Sequence, residues 1–297
     1  MDVVKNRCKL RRYLMFLGLV IILSGCAKEH FEGTEQRRSY RIHLPSGYAD
    51  NGEELPVLIV LHGNPSNGWQ MMLWTGMNKT ADEYGFVVVY PDATNKKWPI
   101  IPENNVTEIS DMKRLVDEIT RRYRVDSDRF FLAGISGGGI FSFQVMKELP
   151  GLFAGFAVVS GNLPRSYDNE DFQSAPFLYI HGTADYLYPG RVELLSADDT
   201  LMKWLSVNNC DPTPMITELP DTNERDESTV SRLTYNGDPG NGVIFYRVNG
   251  GGHQWPGAVF NANTFHGNPL GPLNKDLSAN EAIWRFMERN FPATANN

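Results

Sequence analysis

The chain is short of thiols. Of its 297 residues only three are cysteine, Cys8, Cys26 and Cys210. Cys8 lies among basic residues at the amino end and Cys26 closes an apolar run, so Cys210 alone remains for a folded body. An internal disulfide and a cysteine metal cluster are thereby excluded. Long hydrophobic runs are missing too. The apolar stretch Tyr13–Leu23 covers eleven residues, against roughly 20 for a membrane helix. Basic charge is scarce: 28 Lys and Arg face 35 Asp and Glu, a formal net charge of −7. No Lys/Arg-rich run exists beyond the extreme amino end, so nucleic acid is not an expected partner. Neither internal repeats nor low-complexity tracts occur. What is present is ordinary globular composition, 41% hydrophobic and 21% charged, ample for a large core.

Residues 1–26 read as a targeting segment rather than as part of the fold. Lys5, Arg7, Lys9, Arg11 and Arg12 precede the apolar run, which ends in Leu23-Ser24-Gly25-Cys26. That ending resembles the lipobox of bacterial lipoproteins, in which the cysteine becomes the lipidated first residue. An ordinary signal peptide, or a short anchor helix with a chance cysteine, is the alternative. Ala27 stands where an inner-membrane retention signal would place Asp, which points to an extracytoplasmic protein held at the outer membrane or cell surface. Without the segment the remainder keeps 23 basic against 34 acidic residues, net −11, as suits a soluble body on a tether. Residues 27–37 are polar and read as that tether, and 38–297 as one domain.

From Arg38 the patterning is regular. Ser39–Leu44 alternates as a strand. Pro56–Leu61, Phe86–Tyr90, Phe130–Ala133, Phe153–Val159 and Pro176–Ile180 are continuous apolar runs of the kind buried parallel strands show. Val230–Tyr235 and Val243–Val248 add two strands. Met77–Tyr84, Val106–Tyr123, Ile140–Leu149, Leu201–Val207 and Ala279–Asn290 read as helices; the second carries a stripe of Ile109, Met112, Val116 and Ile119. Buried strands alternating with helices predict an α/β fold, a mostly parallel sheet covered on both faces.

Gly134-Ile135-Ser136-Gly137-Gly138 follows one of these strands and precedes a helix. G-x-S-x-G at such a joint is the setting of a nucleophile elbow, in which a strained turn lifts the serine hydroxyl out of the sheet. The Gly137 N–H would then face the place where an oxyanion forms. A serine needs a base and an acid to orient that base. Of six histidines, His253 follows three glycines at the end of the last apolar strand, where a base belongs. His62 and His181 each end a buried strand, His43 is on an edge pattern, and His30 and His266 lie in polar stretches. Asp185, just past the strand Pro176–Ile180, is the candidate acid, with a helix N-cap as its plainer role. Asp92 is a rival but precedes the serine.

Taken in order, His62-Gly63, Phe86-Val87-Val88-Val89-Tyr90-Pro91-Asp92, Gly134-x-Ser136-x-Gly138, His181-Gly182-Thr183-Ala184-Asp185 and Gly250-Gly251-Gly252-His253-x-Trp255-Pro256-Gly257 resemble the polyhydroxybutyrate depolymerase-like esterases. These overlap the feruloyl and acetylxylan esterases of carbohydrate esterase family 1. The resemblance covers about residues 38–293. It implies the α/β-hydrolase fold, a triad of Ser136, Asp185 and His253, and Asn64 as the second oxyanion donor through its backbone N–H. It also implies an ester of an extracellular polymer as substrate, a feruloylated or acetylated polysaccharide before a polyhydroxyalkanoate. No metal or cofactor is called for. A serine peptidase on the same fold and a non-catalytic binding lipoprotein are the rivals from other classes.

Three departures from that family stand out. The turn Asn236-Gly237-Asp238-Pro239 lacks the cysteine that many relatives pair with the position of Cys210. Asn64 stands where many carry another cysteine. The loop Thr94–Asn105, around Trp98 and Pro99, has no counterpart. Trp98 and Trp255 are the expected aromatic walls of a substrate cleft, although the same rings could equally cover the edge of the core.

Overall fold

The buried apolar runs become the middle of a ten-stranded sheet in the computed structural model, which describes residues 27–49, 52–187, 193–263 and 270–291. The stretch 1–26 expected to be a targeting segment, with Cys8 and Cys26, and His266, lie outside the described residues. The strands are β1 (Ala27–Glu32), β2 (Arg37–His43), β3 (Leu55–Leu61), β4 (Val87–Pro91), β5 (Val125–Ile135), β6 (Gly155–Val159), β7 (Phe177–Gly182), β8 (Met215–Glu218), β9 (Thr229–Tyr235) and β10 (Val243–Asn249). Their order across the sheet is β1-β2-β4-β3-β5-β6-β7-β10-β9-β8. The six strands from β4 to β10 are parallel, and two antiparallel strands flank them on each side.

Full burial of β3, β4 and β6 requires cover on both faces. Among the described residues six α-helices supply it: α1 (Gly68–Thr75), α2 (Met77–Tyr84), α3 (Val106–Arg122), α4 (Gly137–Glu148), α5 (Ala197–Val207) and α6 (Ala279–Asn290). On one face Val57, Ile59 and Leu61 of β3 join α3, α4 and α5 through Ile119, Phe141 and Trp204. On the other, Leu58 and Val60 join α1, α2 and α6 through Met71, Ala81 and Trp284. The expected stripe of α3, Ile109, Met112, Val116 and Ile119, is buried as a whole. The fold is that of the α/β-hydrolases.

Two readings change. The stretch 27–37 is not a free tether, because Ala27–Glu32 pairs antiparallel with β2 over its whole length. The sheet therefore includes Ala27–Glu32. Only Phe31 of that strand is buried, so its sequence carries little apolar alternation. Helix α1 was also not expected. Asn67 opens it by accepting a bond from the Gln70 N–H, which is N-cap chemistry in a residue that also suits a turn.

The chain forms β3, crosses to β4 on one side, then returns through α3 to β5 on the other. Ligand sites in open α/β sheets collect where such a reversal leaves a crevice at the carboxyl ends of the strands. His62 to Asn64 follow β3 there, and Ser136 follows β5.

Candidate active site

Ser136 takes φ 56° and ψ −124°, a conformation L-residues rarely adopt. Two close approaches make the turn possible. A Cβ at Gly134 would meet the Gly138 carbonyl oxygen at 2.5 Å, and one at Gly138 would meet the His62 carbonyl oxygen at 2.5 Å. Both flanking positions of the motif are thus fixed by contact. The Ser136 N–H bonds the Val159 carbonyl at 3.0 Å, which ties the turn to β6. Helix α4 begins at Gly137, so its positive end lies beside the serine.

His253 and Asp185 come together because the ends of β7 and β10 are laced. Val248 pairs with Gly182. Beyond the strands, Thr183 N–H bonds Val248 O at 2.9 Å and Ala184 N–H bonds Gly251 O at 2.9 Å. The result places His253 Nδ1 2.7 Å from Asp185 Oδ2, with the aspartate side chain fully buried. Asp185 Oδ1 accepts the Leu187 N–H at 3.1 Å, a local turn rather than a helix cap. Burial works to raise the Asp185 pKa, but the hydrogen bond from His253 and the charges of His253 and His181 outweigh it, so the carboxyl titrates below the usual aspartate value. His181 approaches the same oxygen, its Nε2 3.6 Å from Oδ2. Burial holds His181 down to about 4, against the pull of Asp185.

Asp92 is committed elsewhere. Its carboxylate accepts the Gly68 N–H at 2.8 Å, at the start of α1, and the Ser39 hydroxyl. The loop after it is held residue by residue. Arg38, buried between Glu108 and Asp111, donates to the Asp92 carbonyl at 2.8 Å. His62 Nε2 accepts from Ala93 N–H at 3.2 Å, and Glu108 from Thr94 N–H at 3.0 Å. His62 must then carry its proton on Nδ1, which bonds Gly63 O at 2.8 Å. Burial lowers its pKa.

Ser136 and His253 line one cleft of about 570 Å³ together with Gly63 and Asn64, within the roughly 300–1,000 Å³ typical of small-molecule sites. Neither expected tryptophan lines it. Trp98 is 3% exposed, stacked on Phe141 at 5.1 Å and tilted onto His62 at 5.1 Å. Trp255 is fully buried in the core, its Nε1 donating to Asn280 at 2.8 Å. Both are packing residues, drawn inward by partners distant in sequence. The cleft takes its aromatic wall from Trp69 and Trp74 of α1, with Leu73, Leu187, Phe260 and Leu270. Trp69 is 48% exposed and Leu73 43%. The stretch Trp69-Gln70-Met71-Met72-Leu73-Trp74, apolar but for Gln70, behind a capping Asn67 was the sequence signal for this wall.

Comparison with known proteins gives three kinds of likeness. Residues 38–167 match the family described as esterase PHB depolymerase. Among curated proteins, NocK of Nocardia uniformis subsp. tsuyamanensis, which carries an esterase name, is 29% identical over 274 residues, 84% of this chain and 79% of its own length. The bifunctional acetylxylan esterase/xylanase XynS20E of Neocallimastix patriciarum is 30% identical over 151 residues, half of this chain but only 21% of that protein. Among solved structures, the acetyl xylan esterase from Aspergillus awamori superposes with a TM-score of 0.58 at 16% identity, covering 81% of this chain and 97% of that one.

Proposed function

We propose that this chain, related over residues 38–167 to the esterase PHB depolymerase family, is a serine carboxylic ester hydrolase. One observation carries the reading. Ser136, on a strained elbow, and His253 share a cleft, and the far nitrogen of that histidine is 2.7 Å from buried Asp185. His253 would take the Ser136 proton through Nε2 while Asp185 holds Nδ1–H in place. Ser136 attacks the ester carbonyl. The N–H groups of Gly137 and Asn64 receive the oxyanion, helped by the positive end of α4. His253 then protonates the leaving alcohol, and water, activated the same way, releases the acid from Ser136.

The substrate we infer is a feruloyl or acetyl ester on a polysaccharide, supported by relatives named as acetylxylan and feruloyl esterases. A polyhydroxyalkanoate or its oligomers is the second reading, favoured by the family match and by the apolar lip of Trp69 and Leu73. We also propose that the protein is extracytoplasmic and lipid-anchored through Cys26. No helix among the described residues is long and apolar enough to cross a membrane.

The test is a fluorophosphonate probe on the folded protein, followed by a panel of feruloyl, acetyl and 3-hydroxybutyrate esters with one matching amide. Wild type should be labelled and Ser136→Ala should not, and Ser136→Ala should lose at least roughly 10³-fold in turnover. Failure of wild type to label, or faster cleavage of the amide than of its ester, would sink the esterase reading.

A further inference from the structure

The Asn64 carboxamide pairs with the backbone of Trp98 in both directions. Its Nδ2 donates to Trp98 O at 2.8 Å and its Oδ1 accepts from Trp98 N–H at 2.8 Å. The side chain behaves as one extra peptide group, forming a rung beyond the point where β3 ends at Leu61. Only asparagine fits this pattern at such short reach. Aspartate can accept but not donate, alanine does neither, and glutamine is one methylene too long.

Both sides of the rung are anchored. Trp98 is buried, and its ring stacks on Phe141 of α4 at 5.1 Å with 11° between the planes. Helix α4 begins at Gly137. The carboxamide also packs directly onto Gly137, since a Cβ there would lie 2.4 Å from Asn64 Cγ. A second bond, Ser66 N–H to Lys96 O at 3.1 Å, secures the same two loops further out. One planar group therefore sets where the 63–66 loop stands relative to the start of α4.

We propose that the Asn64 carboxamide is a positioning residue for the oxyanion site, acting apart from the backbone N–H of the same residue. The inference rests on the esterase reading above. It assigns the side chain the task of keeping the two oxyanion donors, on Asn64 and Gly137, at a fixed separation before substrate arrives. Donors preorganised in this way need no rearrangement in the transition state. A misplacement of about 1 Å can cost on the order of 10²-fold in rate.

Asn64→Ala and Asn64→Leu both retain the backbone N–H and remove the rung. In each, kcat should fall roughly 10- to 100-fold, with KM changed less than about threefold. Affinity for a boronic acid, which mimics the tetrahedral state, should fall in parallel with kcat, while affinity for the product acid stays put. A loss under about threefold in both folded variants, or equal weakening of boronic acid and product, would overturn the proposal. If neither variant folds, hydrogen exchange of ¹⁵N-labelled wild type decides: the Asn64 carboxamide protons should exchange slowly, and exchange at the solvent rate counts against the rung. Wild type that neither labels with fluorophosphonate nor cleaves esters would instead remove the reading beneath it. Active wild type with unaffected Asn64 variants would remove the rung alone.

Discussion

Residue 98 shows how a side chain can serve a cleft without touching it. The Trp98 ring fills the space between His62 and Phe141, and its backbone meets Asn64. Trp98→Ala would leave the backbone groups but empty a large buried volume, which typically costs about 3–5 kcal/mol. The expected outcome is a melting temperature lower by on the order of 10 °C, with feruloyl and acetyl esters affected alike. A selective rise in KM for the aromatic ester at unchanged stability would return Trp98 to the cleft wall. Sequence could not locate this ring, since a tryptophan in an irregular loop reads the same at a rim or in a core. The partners that bury it come from the loop after β3 and from α4, and the hydrogen-bond partner of Trp255 from α6. Gly134 and Gly138 are the opposite case. Although Gly138 also meets the loop after β3, the turn itself is set by a strand and a helix adjacent in sequence, so the elbow was legible from the motif in that setting.

Among elements, the buried central strands declared themselves by unbroken apolar runs, and α3 by its stripe. The elements that escaped reading lie at edges. Strand β8 has all four residues exposed, and β1 buries one of six, so neither shows the alternation that a covered face imposes. Helix α1 escaped for another reason: it is short, begins at Asn67-Gly68, and its apolar residues face both the core and the cleft. Met71 is buried while Trp69 and Leu73 stay half exposed. Under the proposed function, that division would make α1 the element that sets acyl preference. Trp69→Ala should raise KM for a feruloyl ester by about tenfold, the equivalent of ~1.4 kcal/mol of lost ring contact. An acetyl ester should be little affected, and the melting temperature should hold. Equal changes on both esters would place the feruloyl ring elsewhere.

For the molecule as a whole, the absence of a free tether changes how an anchor would act. Strand β1 starts at Ala27, the residue after Cys26, so acylation would attach the membrane to the sheet itself. Cys26→Ser should shift the protein from the membrane fraction to the soluble fraction, or stall its processing, with ester cleavage unchanged. Normal palmitate labelling of that variant would contradict lipid attachment at this residue.

The register of that first strand sets a direction. Ala27 pairs with Ile42, which pairs with Val89, and from there the chain advances toward the carboxyl edge of the sheet, ending where Glu32 meets Arg37. Val89 lies level with Ile59, and Leu61 with Gly134. Ser136 therefore stands about four residues, roughly 13 Å, further along that axis than Ala27. A lipid carried at residue 26 would join the sheet on its outermost strand, that distance short of Ser136 along the strand axis. Under the proposed anchor, Ser136 would then lie on the side of the attachment point toward the carboxyl edge of the sheet.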